Sequence, residues 1–220
     1  PNLPRMLGVS GEPEPAGEHT IRPLEAHGVR FMSIGLLVPE GQAVVWRGPM
    51  LHGAIKSFLA DVEWGELDYL LVDLPPGTGD VQLSLTQQTF VDGAVVVTTP
   101  SAVALEDAVK AVDAFRKLDV PVLGMIENMS YFVCPDCQAR HAIFDTGRTE
   151  ARARSLDVPY LGAVPLHGAV RRGGDEGRPV VVAEPESEYA RALQDIAGRL
   201  AQRVSIQTLG REENKPASAG

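Results

Sequence analysis

Asp68-Tyr69-Leu70-Leu71-Val72-Asp73-Leu74-Pro75-Pro76-Gly77-Thr78-Gly79-Asp80 is the stretch that sets the reading of this chain. An apolar run that ends in a carboxylate and turns at once through a Pro-Pro-Gly loop has the form of a buried strand delivering Asp73 at its C-terminal end. A carboxylate placed there can hold Mg²⁺ through water, because that ion prefers hard oxygen ligands and keeps several waters. Gly77 and Gly79 let the backbone come close to a phosphate, and Asp80 can orient a water or the metal's shell. An ordinary strand followed by a Pro/Gly turn is the plain alternative. The complete string, rather than the acidic strand end alone, favours nucleotide chemistry.

Working outward, residues 94–98, 122–127 and 160–164 repeat the pattern of residues 69–73: a nearly continuous apolar run closed by a polar or turn residue. Between them lies helical spacing, with Leu105, Ala108, Val109, Val112 and Phe115 on one face and Glu106, Lys110, Asp113 and Lys117 elsewhere. Strand alternating with helix predicts an α/β fold, a doubly wound and mostly parallel sheet flanked by helices. Ligands of such a sheet bind at the C-terminal strand ends, here Asp73, Thr98, Asn128 and Pro165. Residues 29–38 and 44–46 also read as strand, 51–62 as a helix and 187–204 as a long final helix. The expectation is one nucleotide-binding-type domain over 1–204, followed by a polar, disordered tail over 205–220.

A chain of 220 residues, 44% hydrophobic, can bury one sizeable core. It contains no apolar run of about 18 residues and no basic segment leading into an apolar one, so a cytoplasmic protein is expected. The net charge of -9 and pI near 5.0 argue against nucleic acid or anionic lipid as partners. Its two cysteines, Cys134 and Cys137, suit a reducing compartment. With two residues between them, they can ligate one metal site without completing it. Homodimerisation about a two-fold axis would bring four thiolates together, a set that a 4Fe-4S cluster or a zinc ion accepts. A redox pair, or two unligated loop cysteines, are the alternatives. His141 could add a nitrogen ligand and favour zinc, though a solvated histidine is the simpler reading. His19, His27, His52 and His167 show no ligand spacing. Neither the serines nor the acidic residues form a hydrolase or glycosidase pattern.

Several pieces in fixed order carry a family resemblance: Asn2-Leu-Pro-Arg-Met-Leu-Gly8, Val45-Trp-Arg-Gly-Pro-Met50, the Asp68 to Asp80 string, Thr98-Thr-Pro100, Ile126-Glu-Asn-Met-Ser130, Cys134-Pro-Asp-Cys137 and Leu161-Gly-Ala-Val-Pro-Leu166. Over about residues 1–200 the chain resembles the Mrp/ApbC branch of the MinD/ParA-like deviant Walker ATPases, iron-sulfur cluster carriers with a P-loop NTPase fold. The resemblance implies a 4Fe-4S cluster bridging Cys134 and Cys137 of two copies and passed on to apo iron-sulfur proteins. It implies ATP and Mg²⁺ as further ligands, with Asp73 and Asp80 catalytic and Gly77, Thr78 and Gly79 against the nucleotide. Asn128 would read the adenine edge and Pro165 would begin a loop beside the base. From the residues alone, a strand-end asparagine bonded to its own turn is equally a reading of Asn128. Two departures stand out. No Gly-Lys-Ser/Thr segment occurs, so the family's phosphate loop has no counterpart, and the expectation is a fragment of a protein that starts roughly forty residues earlier, with the first βα unit in that stretch. Phe144-Asp-Thr-Gly-Arg148 also replaces a more Gly-rich family segment, predicting a modified loop near the dimer surface. The rival readings are a zinc-bound dimerisation module and a MinD/ParA-like positioning ATPase. The sequence offers the latter no basic amphipathic terminal helix.

Overall fold

The structure, a computed structural model, describes residues 2–37, 48–75, 80–134, 136–137, 139–144 and 147–213. In chain order the elements are α1 (Leu3–Met6), β1 (Leu24–Ala26), β2 (Val29–Phe31), a 3-10 turn (Ile34–Leu36), α2 (Gly48–Ala60), α3 (Asp80–Gln88), β3 (Ala94–Thr98), α4 (Ala102–Lys117) and β4 (Val122–Glu127). There follow β5 (Phe132–Val133), β6 (Arg140–His141), α5 (Arg148–Ser155), β7 (Tyr160–Ala163), α6 (Gly168–Asp175), α7 (Val180–Ala183) and α8 (Glu188–Glu213). They form two compact units, Pro1–Thr89 with Gly168–Pro185, and Phe90–His167 with Glu186–Gly220. Among the described residues no helix is long and apolar enough to cross a membrane.

The second unit holds the parallel sheet that the sequence predicts, in the order β3-β4-β7. Period-two alternation sorts its side chains to two sides. Val96 and Met125 pack with Ala108 and Val112 of α4, Ala153 of α5 and Val158 into one core, in which Met125 is fully buried. Val95, Ile126 and Leu161 pack on the other side against Leu193, Ile196 and Leu200 of α8. The layers are therefore helix, sheet, helix. Ser101 starts α4, its hydroxyl accepting from the Ala104 amide at 3.3 Å, one of the orphan donors of the first turn. β3 and β4 have the predicted bounds, and β7 stops one residue short.

The first unit is built from the β1-β2 hairpin, whose two turn residues His27 and Gly28 both have positive φ, and from helices: α2 packs on α3, and α6 on α1 and α7.

Three expectations are corrected. Residues 69–73 do not form a strand: no segment among the described residues pairs with them, and Leu71 is 82% and Tyr69 53% exposed. A strand exists by virtue of its ladder partners, and an apolar run states only what it would bury against. The strand expected over 29–38 ends at Phe31, because Ser33 turns the chain into the 3-10 turn by accepting from the Gly35 amide at 3.2 Å. The final helix runs beyond Val204 to Glu213, with the Ser205 and Thr208 hydroxyls donating to Ala201 and Val204 carbonyls at 3.0 Å. Its last turns are polar but rich in good helix formers. The strand expected over 44–46 lies outside the described residues.

Candidate functional site

β3, β4 and β7 run parallel, so their C-terminal ends gather at one edge, where Thr98, Glu127 and Val164 lead into loops. Backbone bonds tie these ends together. The Asn128 amide donates to the Thr98 carbonyl at 2.7 Å, the Val164 amide to Glu127 at 2.8 Å, and the Ser130 amide to Val164 at 3.0 Å. Pro165 is buried at the end of β7, and Asn128 is half-buried at the end of β4. The Asn128 carboxamide oxygen accepts from the Met129 amide at 2.9 Å. That local turn, with Met129 at φ 54°, is the residue-only reading of this asparagine made concrete. An amide oxygen has two acceptor positions and its nitrogen two donors, so the turn leaves hydrogen-bonding capacity for a base edge.

Glu127 was not singled out by sequence reasoning. Its side chain is 2% exposed. One carboxylate oxygen accepts from the Ser130 hydroxyl and the other from the Thr149 amide at 3.3 Å, joining the loop after β4 to the first turn of α5. A carboxylate at a helix start also meets the positive end of the helix dipole. The available signal was a charged residue closing a buried apolar run, which requires a partner inside the fold. Nearby, burial and then the Glu127 charge push the Tyr160 phenol well above the usual tyrosine range.

From Ser130 the chain runs straight into the β5-β6 hairpin, whose tip carries both cysteines. The Cys134 amide donates to Ala139 at 3.0 Å, closing the hairpin above β5 and β6. Both thiols are free, Cys134 half-buried and Cys137 exposed. The backbone amides of Cys137 and Asp136, and then the Cys137 side chain, bond the Cys134 sulfur and hold its thiol below the ordinary cysteine value, against a smaller opposing effect of burial. Amides that converge on a sulfur favour its thiolate form, which is the metal ligand. His141 is exposed, its ring centroid 6.5 Å from that of Phe132. Among the described residues no group of three or more His, Cys, Asp or Glu side chains is placed to hold a metal.

The structure thus assembles Asn128, Pro165, Cys134 and Cys137 within the second unit. Asp73 and Asp80 belong to the first, Asp73 exposed and Asp80 as the first residue of α3. Gly77, Thr78 and Gly79 lie outside the described residues.

Residues 1–201 match the model of a family described as ParA, NUBPL iron-transfer P-loop NTPase. An iron-sulfur cluster carrier protein of Deinococcus radiodurans is 56% identical over 210 residues, 95% of this chain and 59% of its own length. The mouse iron-sulfur cluster transfer protein NUBPL is 46% identical over 204 residues, 93% of this chain and 64% of its own. The chain therefore spans about three fifths of the length of these relatives. Among solved structures, a nucleotide-binding protein of Archaeoglobus fulgidus in complex with ADP superposes with a TM-score of 0.68 at 33% identity, over 86% of this chain and 73% of that one. The cell division ATPase MinD of Pyrococcus furiosus gives a TM-score of 0.53 at 26% identity, over 73% of this chain and 63% of that one.

Proposed function

This chain belongs to the ParA family of NUBPL-type iron-transfer P-loop NTPases, and from that premise we propose that it carries an iron-sulfur cluster and hands it to apo iron-sulfur proteins. The observation that carries the reading is the hairpin tip, where two free thiols stand with two residues between them and Cys137 is exposed. Each copy supplies two thiolates, so two copies facing each other across a two-fold axis supply the four that a 4Fe-4S cluster takes. The exposure of Cys137 suits transfer, because a thiolate of the recipient can approach the cluster and replace the carrier's ligands one at a time with no change of oxidation state.

Nucleotide enters the proposal at the strand ends beside the hairpin. Asn128 offers a carboxamide to the adenine edge and Pro165 a rigid flank to the base; for Mg²⁺ and phosphate the proposal names Asp73, Asp80, Gly77, Thr78 and Gly79 from the sequence motif. ADP in the Archaeoglobus relative supports nucleotide as a ligand. The homodimer through the hairpin and the recipients belong to the same proposal. A zinc-bound dimer is the second reading, because four thiolates from two copies suit a zinc ion equally well.

Anaerobic reconstitution with iron and sulfide tests the proposal, with absorbance and metal analysis on the wild type and on a Cys134→Ser/Cys137→Ser variant. The expected result is a broad brown chromophore with about four irons per two chains, lost in the variant. A colourless wild type holding zinc, or no metal, would overturn it.

A further inference from the structure

We infer that the first turn of α8 couples the loop after β7 to the cysteine hairpin, with Glu188 and Tyr189 as positioning residues for the cluster; the inference rests on the carrier reading above. These are consecutive residues at a helix start fixed by Ser187, whose hydroxyl accepts from the Ala190 amide at 3.2 Å. Each grips a different loop.

Glu188 holds the hairpin. Its carboxylate accepts from Arg140 of β6 at 2.5 Å and from the Tyr131 hydroxyl, at the root of β5, at 3.3 Å. The Arg140 guanidinium in turn sits 4.8 Å from the centre of the Tyr131 ring, so the three side chains form a closed set spanning both strands of the hairpin. Tyr189 holds the other loop, its ring stacked on His167 at 4.1 Å and 19°. His167 stands two residues after Pro165, at the proposed base site. A direct tie closes the circuit: the Leu166 amide donates to the Tyr131 carbonyl at 2.7 Å, and Leu166 pairs in parallel with Phe132.

The consequence is mechanical. A ligand that displaces residues 165–167 moves Leu166 and His167 together. The first pulls on the root of β5, and the second, through Tyr189 and Glu188, pulls on Arg140, three residues from Cys137. A rigid helix gripped by both loops is a physical route for coupling. The Arg140–Glu188 pair is largely exposed, so it contributes little to the stability of the fold. Its effect is on where the hairpin points.

The test uses the reconstituted full chain, with two readouts that a merely structural role would not move: the visible circular dichroism of the cluster, which reports on ligand geometry, and the rate at which a chelator removes it. Arg140→Gln and Glu188→Gln are expected to alter the dichroism and to speed cluster loss about fivefold, with no further gain in the double variant. Arg140→Lys, which keeps the charge, should stay near wild type. Tyr189→Leu, which touches the β7 loop and not the hairpin, should alter the same dichroism. Arg191→Gln breaks a neighbouring exposed pair with Glu186 and should change nothing. Urea midpoints should match across the Arg140, Glu188 and Arg191 variants, whose ion pairs are exposed. Wild-type dichroism and rates in Glu188→Gln or Tyr189→Leu would overturn the coupling while leaving the carrier reading intact. A wild type that takes up no cluster would overturn both.

Discussion

Replacing Glu127 probes the knot at the end of β4. In Glu127→Ala, the Ser130 hydroxyl and the Thr149 amide, both on buried residues, lose their acceptor. A buried donor left without a partner costs about 1–3 kcal/mol, so the two together cost several. Removing the carboxylate relieves part of its own desolvation, which brings the expected net loss to about 3 kcal/mol. Glu127→Gln keeps the shape and the acceptor that faces Ser130, but sets an amide nitrogen against the Thr149 N–H, for a loss of about 1–2 kcal/mol. Equilibrium urea unfolding followed by far-UV dichroism gives the ordering, and hydrogen exchange at the Thr149 amide gives the local effect, faster in both variants. An alanine variant within about 1 kcal/mol of wild type, or a glutamine variant less stable than the alanine one, would refute the assignment of this carboxylate as the tie between the two segments.

Gly162 has φ 147°, and a Cβ there would lie 2.9 Å from Ile196. Gly162→Ala should lose about 2 kcal/mol in urea unfolding, from backbone strain and displacement of α8; a neutral result would place α8 differently on the sheet. The raised Tyr160 phenol sets a pH dependence. Its folded value lies above the unfolded one, so its contribution to stability is complete below about pH 10 and is lost as pH rises toward the folded value. Wild type should therefore lose stability above about pH 10 more steeply than Tyr160→Phe, and equal slopes would contradict the burial of this hydroxyl.

What the sequence made legible follows from how far each interaction reaches. β3 and β4 could be delimited because Ala94 to Thr98 and Val122 to Glu127 are short apolar runs whose neighbours in the sheet are present in the chain. The run at Tyr69 to Asp73 is just as apolar, yet it pairs with nothing among the described residues, and periodicity carries no information about partners. Ser33 redirected an expected strand by one side-chain hydrogen bond. At the site, Asn128, Pro165 and the cysteine pair were visible as local motifs at strand ends. Glu127 with Thr149 is separated by 22 residues, and Arg140 and Tyr131 from Glu188 by 48 and 57. Such clusters exist only once the sheet has brought the segments together. The local pattern marked the cysteines as candidate ligands, and the fold added the side-chain contacts around their hairpin.

Cys134 and Cys137 of two copies are proposed to share one cluster, and native mass spectrometry of the anaerobically reconstituted protein reads out that sharing. The expected species is two chains plus one 4Fe-4S unit, which reverts to single chains when the cluster is removed and is absent from the Cys134→Ser/Cys137→Ser variant. A single chain holding its own metal, or a dimer whose added mass is that of zinc, would contradict it.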